Sequence, residues 1–469
     1  MRGWRGVGLV SGWQTVASLC FYAIFAATAF LRDDFGLSRT LVGVTITATM
    51  LGYTLLLFVM GALVDGYGER PVMIGGLLAL GAGTTGVALA PSYPALLIAL
   101  LVIGGAYAAA MPATNRAVLA VAPPGRRNLA MSLKQVGVTV GSGLGAVLVT
   151  WIAATRFAWR GGFFVAAATA VLVAVAFGYW YRGDGGHGSL GLPDVRGLLA
   201  RPDYRTLAAA GFFYGGTIFT TTAYVVLYLT ESTPIAAGVA GTTLALVQLT
   251  GSVGRIGGGA LVDRLPGSDA RSSALVLCGQ SLGGAACLAA VTLVDGPLAA
   301  AAGFGALGLF LFGIPATYYA CMTSLVPTDR VGEATAGGQL TINAGGLVAP
   351  PAFGYLVDSF GYRAGWAFLG SLSLVAVGTL ARAAPSTAPL FGGTVLFGVG
   401  IALGNVLLPS LVKRDFPEHS GVMTSLYSSG IGAGAAIGAG TTVPLAGALG
   451  WRGALGAWAV PAVAALLVW

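Results

Sequence analysis

Three cations stand inside long apolar runs of this sequence: Arg116, Lys134 and Arg255. A charge is costly to hold in such surroundings, so these residues are candidates for function first. No Asp or Glu lies in the middle of a run; the acids fall between runs or at their edges. Fixed positive charge with no facing carboxylate suits an anion. Lys134 and its neighbour Gln135 are the leading pair for that contact, because Lys134 sits roughly 9 Å into its run by helical rise. Gln339 and Asn343, in Gly338-Gln339-Leu340-Thr341-Ile342-Asn343, could complete the contact, as could Tyr22 and Tyr214. Such neutral groups also serve as hydrogen-bonded glue between helices. Arg116 and Arg255 read first as structural or gating charges near one end of their runs.

Bond-making chemistry finds no support. Gly279-Gln280-Ser281-Leu282-Gly283 has the letters of a nucleophile elbow, but the chain has only 2 His, His187 and His419, both in polar segments. Gly81-x-Gly83-x-x-Gly86 spells a dinucleotide fingerprint inside an apolar run with no strand before it. Cys20, Cys278, Cys287 and Cys321 have neither metal-ligand spacing nor a disulfide framework. An enzyme is not expected, nor a metal or organic cofactor. Coupling to protons or another ion stays open.

The elements that must position these residues follow from composition. The 469 residues are 56% hydrophobic and 9% charged, with a mean hydropathy of +0.84. Soluble domains carry about 25% charged residues, and a membrane span needs about 20 apolar ones. The sequence therefore predicts an all-α membrane protein. Spans are expected at 7–31, 39–61, 71–90, 93–120, 129–152 and 159–181, then, after a polar linker over 182–205, at 206–229, 236–260, 272–294, 297–325, 334–357 and 363–381. The domain boundaries are 1–181, 182–205, 206–382 and an additional 383–469. With the N-terminus inside, thirteen arginines lie on the inner side, among them Arg70, Arg126, Arg127, Arg182 and Arg382. Five lie outside: Arg32, Arg39, Arg156, Arg160 and Arg363. That asymmetry places the N-terminus in the cytoplasm. The first run is long enough to span and lacks a cleavage pattern. These features suit a multi-pass protein of a prokaryotic inner membrane, in contact with lipid. The net charge of +8 is scattered over short loops, so nucleic acid is not an expected partner.

The two halves echo each other. Gly61-Ala62-Leu63-Val64-Asp65 returns as Gly259-Ala260-Leu261-Val262-Asp263, followed by Arg264, and Pro112-Ala113-Thr114 returns as Pro315-Ala316-Thr317. Repeats six spans apart indicate an internal duplication. The layout and the loop Gly61-x-Leu63-x-Asp65-x-x-Gly68-x-Arg70 resemble the major facilitator superfamily, with Gly66 and Glu69 where that family usually carries basic residues. The resemblance covers residues 1–382. It implies two six-helix bundles working by alternating access, with Asp65, Arg70, Asp263 and Arg264 at inner gates. Ser132-Leu133-Lys134-Gln135-Val136-Gly137-Val138 is similar to a K-Q-x-G-V run of some facilitators, cyanate-permease-like ones included. Gly137, Gly141 and Gly145 give that helix one smooth face.

The tail holds about three further runs, at 387–412, 421–447 and 453–469. It repeats features of spans four to six: Pro409-x-x-x-Lys413 matches Pro112-x-x-x-Arg116, Gly430, Gly434 and Gly438 match Gly137, Gly141 and Gly145, and Trp451-Arg452-Gly453 matches Trp159-Arg160-Gly161. Gly404-Asn405-Val406-Leu407-Leu408-Pro409 resembles the fourth span of cyanate-transporter-like facilitators, which points to a fused or misjoined partial copy. The reading as a whole is a secondary transporter of a small solute, with an anion favoured by the charges. An efflux pump for amphipathic compounds would instead be insensitive to Lys134 and lined by Phe and Tyr. A membrane sensor would bind its ligand without moving it.

Overall fold

The computed structural model describes residues 3–124, 126–183, 195–293, 296–327, 330–382, 387–405 and 417–457. The core of the predicted linker, with His187, and the tail residues Pro409, Lys413 and Arg414 lie outside the described residues, as does the run after 457. No strand occurs among the described residues.

The first half runs α1 (Trp4–Ala26), α2 (Thr28–Phe35), α3 (Arg39–Tyr67), α4 (Glu69–Leu89), α5 (Tyr93–Tyr107), α6 (Ala110–Val121), α7 (Arg127–Ile152) and α8 (Ala158–Trp180). A short α9 (Val195–Leu199) precedes the second half. That half comprises α10 (Pro202–Ser232), α11 (Ala237–Arg264), α12 (Asp269–Leu293), α13 (Pro297–Leu311), α14 (Ile314–Ser324), α15 (Val331–Phe360) and α16 (Tyr362–Arg382). The tail adds α17 (Thr387–Asn405) and α18 (Ser420–Ala457), which is broken at Gly450, φ 70°.

Twelve of the described helices are long and apolar enough to cross a membrane, which indicates an integral multi-pass protein. Eleven lie between Trp4 and Arg382, and the twelfth is the tail stretch Pro417–Ala448. Helix α11 is long enough at 28 residues, but Arg255, Gln248 and its many Gly and Thr lower its hydropathy below that of its neighbours. The fourth and tenth spans are each two helices, α5–α6 and α13–α14, broken just before the Pro112 and Pro315 copies. The duplication read in the sequence thus extends to backbone geometry.

The turn between α3 and α4 differs from the expected loop. Helix α3 continues through Gly61, where a Cβ would meet open space. The chain reverses at Gly68, whose φ of 85° suits glycine. Packing inside each half uses missing Cβ atoms, because lipid supplies no hydrophobic drive and close approach must. Gly137, Gly141 and Gly145 all lie against the α1 backbone, at Ser11, Thr15 and Leu19. The smooth face of α7 is therefore buried within its own half. In the tail, Gly378, Gly393 and Gly400 let α17 run antiparallel to α16, and Arg382 sits 4.9 Å above the ring of Phe397.

Candidate functional site

The halves meet along α3 with α15, α7 with α11 and α1 with α10. Among the described residues, the polar links across this boundary gather at one end. Arg39 reaches Glu231 at 2.8 Å and Asp358 at 3.4 Å, and Arg32 reaches Glu231 at 2.9 Å. The Thr40 amide and hydroxyl both donate to Asp358, and Tyr362 donates to Glu231. Nearby, Thr28 donates to Ala223 O and Trp151 to Thr242. Gly43 lies so close to the Pro350–Pro351 backbone that a Cβ would collide with it.

Towards the opposite end lie the polar groups singled out by sequence. Lys134 is fully buried. Its ammonium donates to Asn115 Oδ1 at 2.7 Å and lies 4.0 Å from Met111 Sδ. Gln135 is partly exposed, and its buried Oε1 has no partner. On α15, Gln339 donates to Asn343 Oδ1 at 2.7 Å and accepts from the Tyr319 hydroxyl, while Asn343 Nδ2 is buried and unpartnered. Tyr214 lies elsewhere: it is buried in the second half, where Ser281 donates to its hydroxyl at 3.2 Å and its ring stands edge-on to Tyr318.

Arg255 is not placed with the Asp263 loop. It lies nine residues, or about 14 Å of helix, before Arg264. Its Nε donates to Phe312 O at 2.9 Å, and the hydroxyls of Tyr22, Tyr107 and Tyr319 are within its electrostatic reach. Tyr22 and Tyr107 belong to the first half, Tyr319 to the second, so Arg255 faces the boundary. Phe21 stacks on Tyr107 at 4.1 Å, and Tyr53 and Tyr22 stand edge-on to Tyr107 at 5.6 and 6.3 Å. The type of Arg255 was legible in sequence; its aromatic company was not, because those rings come from spans far apart in the chain.

Arg116 belongs to a different cluster. Its guanidinium lies 3.1 Å from Glu69 Oε2 and 3.8 Å from Asp65. Glu69 is almost fully buried and accepts from the Tyr181 hydroxyl at 2.9 Å. The departure at Glu69 thus supplies a second carboxylate for the cation, and its unusual residue type was the available signal. Arg70 donates to Gly178 O at 2.6 Å. In the second half Asp263 and Arg264 are exposed and, among the described residues, make no ion pair. The duplicated sequence therefore builds two unlike corners.

Residues 12–350 and again 341–469 match the Major Facilitator Superfamily. The chain belongs to that superfamily. Its second match agrees with the tail being a further, partial facilitator segment. The 3-(3-hydroxy-phenyl)propionate transporter of Escherichia coli is 29% identical over 337 residues, covering 69% of this chain and 80% of that protein. The 2-nitroimidazole transporter of Escherichia coli is 52% identical over 86 residues, 18% of this chain and 22% of that protein. The cyanate transport protein CynX of the same organism is 38% identical over 101 residues, 21% of this chain and 26% of that protein. The chain thus spans about a quarter of these two relatives. Among solved facilitators, a bacterial homologue of the lysosomal transporter Spinster, inward-facing and occupied, superposes with a TM-score of 0.63 at 15% identity, covering 85% of this chain and 95% of that one. That likeness speaks to the fold alone.

Proposed function

We propose that this facilitator moves a small organic carboxylate across a prokaryotic inner membrane by alternating access between residues 1–181 and 206–382. One observation carries the reading: the guanidinium of Arg255 faces the boundary between halves and, among the described residues, pairs with no carboxylate. A planar guanidinium fork matches a carboxylate bidentately. Lys134 and Gln135 add a second cation and an unpaired acceptor on the first half. The relative with the longer match carries a carboxylate, by its name. With the N-terminus cytoplasmic, the Arg39 clasp lies outside, and the chain is in its inward-facing state.

The test is uptake by the full chain reconstituted in liposomes, using labelled carboxylates beside their neutral alcohols. Carboxylate uptake should fall at least tenfold in Arg255→Gln, and less in Arg255→Lys. Uptake that ignores both substitutions would sink the proposal. It would favour a pump for amphipathic compounds, a reading supported by the wall of Phe21, Tyr22, Tyr53 and Tyr107.

A further inference from the structure

We propose that the carboxylate held at Arg255 belongs to an aromatic acid, whose ring lies against Tyr22, Tyr53 and Tyr107 of the first half and Tyr319 of the second. The inference rests on the carboxylate reading above and narrows it. The Nε bond to Phe312 O fixes the plane of the guanidinium. Among the described residues its terminal nitrogens have no protein acceptor, so they are free to take both oxygens of one carboxylate. The surroundings are rings, and two of their four hydroxyls are already engaged. The Tyr107 hydroxyl pairs with Ser18 Oγ at 3.0 Å, and the Tyr319 hydroxyl donates to Gln339. What these residues offer a ligand is therefore mainly aromatic face and edge. A sugar acid would need several free donors and acceptors close to the cation. A flat ring needs an edge-to-face partner, and the Tyr22, Tyr53 and Tyr107 set is built from such pairs. Tyr22 and Tyr319 both keep part of their surface exposed, one from each half, so a ring lying there touches both. Because it would join the halves, such a ligand also suits a transporter whose two halves must close around its cargo.

The experiment is a calorimetric titration of the purified full chain with five probes: 3-phenylpropanoate, cyclohexanepropanoate, propanoate, glucuronate and 3-phenylpropan-1-ol. The aromatic acid should bind at least threefold tighter than the cyclohexane acid and at least tenfold tighter than the other three. Tyr22→Leu should erase the preference for the aromatic over the saturated ring, and Tyr22→Phe should keep it. If propanoate or glucuronate binds as tightly as 3-phenylpropanoate, the ring assignment is overturned while the carboxylate reading stands. If the alcohol binds as tightly as the acid, or no probe binds, both fall. The comparison on the unaltered chain does not depend on any variant folding.

Discussion

Arg39 and Glu231 approach to 2.8 Å across the boundary between the two halves, with Arg32 on the other oxygen of the same carboxylate. Their side chains are roughly a fifth to a third exposed, so each pair contributes at most about 1 kcal/mol. Removing Glu231 should shift the balance of conformations without unfolding either half. In Glu231→Gln, a single Cys at position 22 should react several-fold faster with an impermeant maleimide applied from the Arg39 side. Exchanging the charges, Arg39→Glu with Glu231→Arg, should bring the rate back down. An unchanged rate in Glu231→Gln would show that the Gly43 contact alone holds this end closed.

Glu69 has a heavier role than its exposed neighbour Asp65. Both its oxygens are engaged, by Arg116 and by Tyr181, in a buried position. Glu69→Gln should lower stability by about 1–3 kcal/mol, since the charged acceptor of Arg116 and Tyr181 is lost from a buried position. Asp65→Asn should cost under about 1 kcal/mol, as befits a half-exposed carboxylate. Thermal unfolding in detergent measures both. Equal losses would mean that Glu69 holds Arg116 no more firmly than Asp65 does.

Lys134 and Asn115 form a coupled pair at 2.7 Å. Asn115→Ala deprives the buried ammonium of its oxygen acceptor and should cost about 1–3 kcal/mol. Adding Lys134→Met should recover part of that loss, because the unpaired charge goes with it. Strictly additive losses in the double variant would show that the pair does not stabilise the fold.

Gly141 has no room for a side chain, because a Cβ there would strike Thr15 O on α1. Gly141→Leu should destabilise the first half by about 1–3 kcal/mol or more through overpacking. Gly279, where a Cβ meets open space, should tolerate Ala with little change. The two melting curves decide the matter.

The tail divides by its contacts. Helix α17 is laced to α16 through Gly378, Gly393 and Gly400, whereas the described spanning window of α18 buries none of its residues in the protein. A chain ended after Asn405 should therefore melt near the full-length temperature. A chain ended after Arg382 should melt several degrees lower, having uncovered the α16 face. If both truncations melt alike, α17 is as dispensable as α18.

The helical class, the spans and the duplication were all legible in the sequence, because each depends on local facts. Run length must match the membrane, and glycines and prolines recur at fixed offsets. The family resemblance and the second, partial copy in the tail were legible for the same reason. Residue type also pointed to Lys134, Gln135, Arg116 and Arg255 as the polar exceptions in apolar runs. Tertiary structure decided their company. Arg116 meets Glu69 from the preceding span, Lys134 meets Asn115, and Arg255 meets tyrosines from both halves. It also decided that Tyr214 belongs to the second-half core and that Asp263, among the described residues, makes no ion pair. Sequence period fixes which face of a helix a residue occupies. Which other helix faces it depends on how twelve spans pack, and that information is spread over contacts between residues hundreds of positions apart.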